Sequence, residues 1–67
     1  MIEITVNGEA RRASAGASVA DLLATLGLPS AKVAVERNLE IVPRSRFAEA
    51  ALAPGDRIEI VHFVGGG

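Results

Sequence analysis

The sequence has no cysteine, tryptophan or tyrosine, and His62 is its one histidine. Without thiols, the chain can form no disulfide and has no cysteine nucleophile. A zinc site built from nitrogen and sulfur ligands is excluded for the same reason. Because the chain has only 67 residues, we expect one small domain that depends on an aliphatic core.

The sequence also has no large excess of charge of either sign and no long apolar run. Seven Lys and Arg residues face eight Asp and Glu residues, so no strong field attracts nucleic acid or an anionic membrane. Phe47 and Phe63 are the only aromatic residues, which leaves little surface for base stacking. No apolar run approaches the ~20 residues of a membrane span, and the first residues lack a signal-peptide pattern. The sequence therefore predicts a cytoplasmic protein, monomeric when free, with neither nucleic acid nor membrane as partner.

The first half of the chain predicts a hairpin followed by a helix. Residues 2–6 alternate apolar and polar, and Asn7-Gly8 favours a tight turn into a second strand from Glu9 to about residue 13. Ser18 and Asp21 form a capping-box pattern before a predicted helix over residues 19–26. An apolar stripe runs along this helix, and Gly27 and Pro29 end it. The stripe consists of Val19, Leu22, Leu23 and Leu26.

The second half predicts three more strands. Two short strands, VAVE and EIVP, flank a turn at residues 37–39, and Ser45 is expected to cap one helical turn. Pro54-Gly55 suits a type II turn before the last strand, which starts at Arg57. We therefore predict an α+β fold of the β-grasp (ubiquitin-like) type. It has a mixed sheet, one main helix across one face, and the last strand parallel to the first. Residues 1–63 form the domain and residues 64–67 a flexible glycine tail.

Signatures of catalysis are nearly absent. Neither a phosphate-binding glycine loop nor a paired histidine motif is present. Four serines share a single possible base, His62, and turn or capping roles explain those serines better. Catalysis by this chain alone is therefore not predicted.

The last three residues, Gly65, Gly66 and Gly67, are either an unstructured tail without a function or the functional segment of the protein. Glycine has no Cβ, so such a segment can thread a narrow channel. Residues 64–67 can reach roughly 13 Å when extended. The terminal carboxylate could attack the α-phosphate of ATP held by a partner, and the resulting acyl-adenylate would accept sulfur or an amine. We favour this working role because nothing else in the chain offers chemistry.

The sequence resembles the sulfur carrier proteins of thiamine biosynthesis along essentially its whole length. The similarity lies in VNGE after the first strand, VAVERNLEIVPRSRF, LAPGDRIEIV and the terminal GGG. The resemblance implies that an E1-like adenylyltransferase adenylates Gly67 with ATP and magnesium, and that the carboxylate becomes a thiocarboxylate. A cysteine desulfurase or similar donor would supply the sulfur, and thiazole synthase would receive it. Gly65 and Gly66 would thread the partner's active site, and the chain itself would bind no cofactor or metal.

Residues next to the tail are candidates for partner docking. Val61, Phe63 and Val64 could form an exposed apolar patch, although Phe63 could instead cover a minor core near Phe47. Three other functions stay open: the small subunit of molybdopterin synthase, a protein modifier joined to lysines, and a non-covalent interaction module.

Overall fold

The computed structural model describes residues 1–63, which form a five-stranded mixed sheet with one α-helix across one face. The elements are β1 (Ile2–Val6), β2 (Glu9–Ala13), α1 (Val19–Leu26), β3 (Val33–Arg37), β4 (Glu40–Val42) and β5 (Arg57–His62). The strand order is β2-β1-β5-β3-β4, with β1 and β5 parallel and the other neighbours antiparallel. This confirms the predicted β-grasp fold, including the last strand beside the first.

The β1–β2 hairpin closes through the predicted two-residue turn. Asn7 has a φ of 51° and Gly8 a φ of 84°, both in the left-handed region. Positive φ at both central residues matches the right-handed twist of the two strands, and asparagine and glycine adopt it at low cost. The turn thereby fixes the register in which Val6 lies opposite Glu9.

Both predicted ends of α1 are confirmed. The Ser18 hydroxyl accepts a hydrogen bond from the Asp21 amide (3.1 Å), and the Asp21 carboxylate accepts one from the Ser18 amide (2.9 Å). Gly27 ends the helix with a φ of 72°, which costs a residue without a Cβ little. Between these caps, Val19, Leu22 and Leu23 are buried against the sheet.

The core lies between α1 and the face of the sheet that the helix covers. Alternate residues of β1, β3 and β5 point into it, because successive strand residues point to opposite faces. Two residues from the connection before β5, Phe47 and Leu52, close the end of the core. The fully enclosed side chains, less than 2% exposed, are Leu23, Ile58, Val19, Val33 and Val35.

The connection after β4 differs from the prediction. A 3₁₀ turn spans Arg44–Arg46 and starts after Pro43, with no side-chain cap. The predicted Ser45 cap is therefore wrong, because Ser45 lies inside the turn. Pro43 does end β4, as its missing amide hydrogen predicts. A second 3₁₀ turn, Ser30–Lys32, was not predicted.

Two further turns lie close to their predicted positions. Gly55 has a φ of 82° and the Asp56 amide donates to the Ala53 carbonyl (3.1 Å), as a type II turn requires. Between β3 and β4, Asn38 and Leu39 have φ values of 52° and 70°. Leucine rarely adopts this region, so a sequence pattern does not reveal the conformation of this turn.

Candidate functional site

The candidate site is the end of β5 and the face of the sheet away from α1, called the open face below. β5 is the central strand, hydrogen-bonded to β1 on one side and β3 on the other. After its last residue, the Phe63 amide donates to the Lys32 carbonyl (2.8 Å). The chain is therefore held by the sheet up to residue 63.

Two of the three predicted docking residues lie exposed at this end of β5. Val61 is 60% exposed and Phe63 is 48% exposed, whereas Phe47 is buried in the core. Ile58 and Ile60 are buried on the helix side, so Val61 lies on the open face. Phe63 is thus not a core residue. The third docking residue, Val64, and the predicted sulfur-carrying and threading residues lie outside the described residues: Gly67, Gly65 and Gly66.

The open face carries more apolar surface than the sequence reasoning identified. Ile41 is 75% exposed and Leu39 is 74% exposed. Ile41 alternates with the buried Val42 within β4, which places it on the open face. The alternation in this strand was a signal for an exposed isoleucine, but a three-residue strand makes that signal weak.

An acidic pair crosses the middle of the open face. Glu36 of β3 lies directly opposite Glu59 of β5, and Ile41 of β4 lies on the other side of Glu36. Two residues further along the same strands, Ala34 lies opposite Val61, also on the open face. This part of the open face therefore combines two carboxylates with apolar neighbours, and Arg57 lies two residues before Glu59 on the same face.

The side chain of Asn7 fixes β5 from the neighbouring hairpin turn. Its Oδ1 accepts from the Ile60 amide (2.8 Å) and its Nδ2 donates to the Ile60 carbonyl (3.2 Å). These bonds join residues 53 positions apart in the chain. Sequence reasoning used Asn7 only for its turn conformation and missed this second role.

A second network fixes the start of β5. The buried carboxylate of Asp56 accepts from the Ala53 amide (2.8 Å) and from the Asn38 side-chain amide (3.1 Å). The Asn38 Oδ1 in turn accepts from the Arg57 amide (2.9 Å). Together with Asn7, this network fixes both the start and the later part of the strand that leads to the glycines.

Within residues 1–63, no group of three or more His, Cys, Asp or Glu side chains could hold a metal ion. The Ser18 hydroxyl is engaged in the helix cap, and His62 is an exposed residue at the end of β5. No helix in this part of the chain is long and apolar enough to cross a membrane.

A five-stranded mixed sheet in the order β2-β1-β5-β3-β4, with one helix across one face, defines a β-grasp domain. The model of the ThiS family matches residues 4–67, and the chain belongs to this family of sulfur carriers. The crystal structure of the thiamine biosynthesis protein ThiS from Geobacter metallireducens superimposes with a TM-score of 0.83 at 32% identity. The match covers 98% of this chain and 100% of that one.

Two curated relatives differ in length. The sulfur carrier protein ThiS of Bacillus subtilis is 52% identical over 50 residues, which cover 75% of this chain and 76% of that protein. A thiazole synthase of Paramagnetospirillum magneticum is 54% identical over 66 residues, which cover 98% of this chain but 20% of that protein. The chain thus spans about one fifth of the length of this relative.

Proposed function

We propose that this chain is the sulfur carrier of thiazole formation in thiamine biosynthesis, with the Gly67 carboxylate as the group that carries sulfur. The observation that carries the proposal is the family match over residues 4–67, which includes the three terminal glycines. The curated relative in Bacillus subtilis is named a sulfur carrier. The arrangement of β5 also supports it, because a central strand gives the terminal segment a rigid base.

The proposed chemistry needs an activating partner. A carboxylate oxygen of Gly67 attacks the α-phosphate of ATP in an E1-like adenylyltransferase, and pyrophosphate leaves. The product is an acyl-adenylate. A sulfur nucleophile in the oxidation state of sulfide then attacks its acyl carbon, so that a carbon–sulfur bond forms and AMP leaves with the former carboxylate oxygen. If the donor is a cysteine desulfurase persulfide, two electrons from a thiol reductant are needed to release the thiocarboxylate.

In this proposal the chain acts as a co-substrate and its partners are the enzymes. ATP and magnesium belong to the adenylyltransferase, and this chain supplies the carboxylate and the surface that positions it. Thiazole synthase is the proposed acceptor of the sulfur. The support for that partner is the thiazole synthase of Paramagnetospirillum magneticum, in which a similar segment is part of the same polypeptide.

Intact-protein mass spectrometry tests the proposal directly. The chain is incubated with the adenylyltransferase, magnesium-ATP and a sulfur donor, and we expect a mass gain of one sulfur minus one oxygen on Gly67. A variant lacking Gly65, Gly66 and Gly67, which ends on Val64, is the control and should gain nothing while keeping its circular dichroism spectrum. An unchanged mass with an active partner would refute the carrier role. Adding thiazole synthase or molybdopterin synthase to the product then identifies which enzyme takes the sulfur.

The proposed docking role of Val61, Phe63 and Val64 has its own test. Phe63 is about half exposed, so Phe63→Ala should cost about 1 kcal/mol or less of unfolding free energy. We expect the same change to weaken adenylyltransferase binding about tenfold, as the loss of an apolar interface anchor does. Titration calorimetry and thermal unfolding measure the two effects. A stability loss of ~3 kcal/mol or more, as for a buried phenylalanine, would contradict docking.

A further inference from the structure

The acidic pair, Glu36 and Glu59, forms no salt bridge among residues 1–63, and the nearest cation along β5 on the same face is Arg57, two residues before Glu59. The two residues are directly opposite in the β3–β5 ladder, where Cβ atoms are about 4.5–5.5 Å apart. Among residues 1–63, the salt bridges are Arg12–Glu3 and Arg46–Glu49, and neither involves the pair. Like charges that face each other across a sheet destabilise it. No salt bridge within residues 1–63 therefore offsets the repulsion between these two carboxylates.

Apolar side chains border the acidic pair on the open face. Ile41 flanks Glu36 on β4, and Val61 follows Glu59 on β5, with Phe63 two residues further on. The pair and these three residues are called the docking surface below. Apolar exposed groups around a few charges are typical of an interface, in which apolar contact excludes water and charge selects the partner.

We propose that the docking surface binds a thiazole synthase. In the complex, an arginine or lysine side chain of that enzyme lies between Glu36 and Glu59, and apolar groups of the enzyme surround this cation. A cation at this position would relieve the repulsion between the two carboxylates. The acidic pair therefore lowers the stability of the free domain but strengthens binding in the complex. This inference rests on the proposed function and deepens it by naming the chemistry of the partner's surface.

Charge argues for this occupant over three others. A second copy of the chain on a two-fold axis would bring four carboxylates together, which opposes self-association. A nucleic acid or an anionic membrane would meet the same repulsion. Thiazole synthase is favoured among protein partners because the Paramagnetospirillum magneticum protein of that name contains a segment 54% identical to this chain.

The docking surface is also close enough to the glycines to act with them. Glu59 and Phe63 are four residues apart, or about 13 Å along a strand. Residues 64–67 add a reach of roughly 13 Å. A partner bound over the acidic pair could therefore hold Gly67 in a pocket near the edge of the same interface.

The experiment removes the charges one at a time. Glu36→Gln, Glu59→Gln and the double variant are compared with wild type, and Glu9→Gln is the matched control. Glu9 is exposed at the start of the outer strand β2, opposite the buried Val6 and so away from the open face. Binding to purified thiazole synthase is measured by calorimetry at low and at physiological salt, and thermal unfolding is measured in parallel.

We expect binding and stability to change in opposite directions. Each single variant should raise the Kd about 5–10-fold at low salt, the double variant more, and Tm should stay the same or rise. The salt dependence of binding should become weaker in the double variant, because fewer charges are paired in the complex. Glu9→Gln should leave the Kd unchanged. A purely structural role of the pair would instead lower Tm and binding together.

Three results would overturn the inference. If the double variant binds thiazole synthase like wild type and still forms the thiocarboxylate on Gly67, the docking surface is wrong and the carrier function stands. If the variants lose affinity only for the adenylyltransferase, the named partner is wrong. If wild type gains no sulfur and binds neither enzyme, the proposed function fails, and this inference fails with it.

Discussion

Replacement of Asn7 separates the two roles that its side chain and backbone play. The side chain makes two hydrogen bonds to Ile60, and the backbone has a φ of 51°. Asn7→Ala removes both bonds, each worth about 1 kcal/mol net. A side chain with a Cβ and no local hydrogen bond adds about 1 kcal/mol of strain at positive φ. We therefore expect a loss of about 3 kcal/mol in the free energy of unfolding.

This loss is large for so small a domain. At ~0.05–0.15 kcal/mol per residue, the whole chain is expected to have roughly 3–10 kcal/mol of stability. A loss of ~3 kcal/mol corresponds to a fall in Tm of roughly 12–24 °C at this size. Urea titration and thermal unfolding followed by circular dichroism measure both quantities, provided that the transition is two-state.

Asn7→Gly is the matched control, because glycine adopts the positive φ without strain but makes neither hydrogen bond. It should lose about 2 kcal/mol, so the difference between the two variants reports the backbone strain. If Asn7→Gly is as stable as wild type, the hydrogen bonds to Ile60 contribute nothing and the reasoning about the anchor of β5 is refuted. If Asn7→Ala also matches wild type, the strain argument fails as well.

Two further stability predictions concern α1. Ser18→Ala removes one half of the capping box and should lower the free energy of unfolding by about 1 kcal/mol. Ser45→Ala is the control: it lies in a turn without a side-chain cap and should change that free energy by less than ~0.5 kcal/mol. Equal effects in urea titrations would show that the cap has no energetic role. Leu23 of α1 is fully buried in the core, with 0% of its surface exposed. Leu23→Ala should therefore lower the free energy of unfolding by about 2–5 kcal/mol. A loss under ~1 kcal/mol in the same titrations would mean that the core is not packed as described.

Local patterns in the sequence predicted the parts of the fold that depend on local chemistry. Asn7-Gly8 fixed the first hairpin, and Ser18, Asp21 and Gly27 fixed both ends of α1, because turns and caps involve residues a few positions apart. The predicted Ser45 cap failed because the 3₁₀ turn already starts at Arg44, after Pro43. A serine before an apolar segment does not by itself specify which residue is the cap.

The less predictable features depend on contacts between distant segments. The bonds from Asn7 to Ile60 and from Asn38 to Asp56 and Arg57 join residues 18 to 53 positions apart in the chain. Glu36 and Glu59 lie far apart in the sequence, and only the register of β3 and β5 makes them neighbours. The terminal glycines in the sequence thus indicated where the candidate site lies. Which residues make up the surface beside them could be identified only from the fold.

The parallel pairing of β1 and β5 has a mechanical consequence. A partner that pulls on the chain beyond Phe63 applies force along β5, and β1 resists from the neighbouring position. Hydrogen bonds from Thr5 to Asp56 and from Asn7 to Ile58 lie across the direction of that force, so they are loaded together and not one after another. Antiparallel neighbours pulled at a shared end would unzip bond by bond. Force applied along β5 from beyond Phe63 would therefore have to break these two bonds to β1 at the same time.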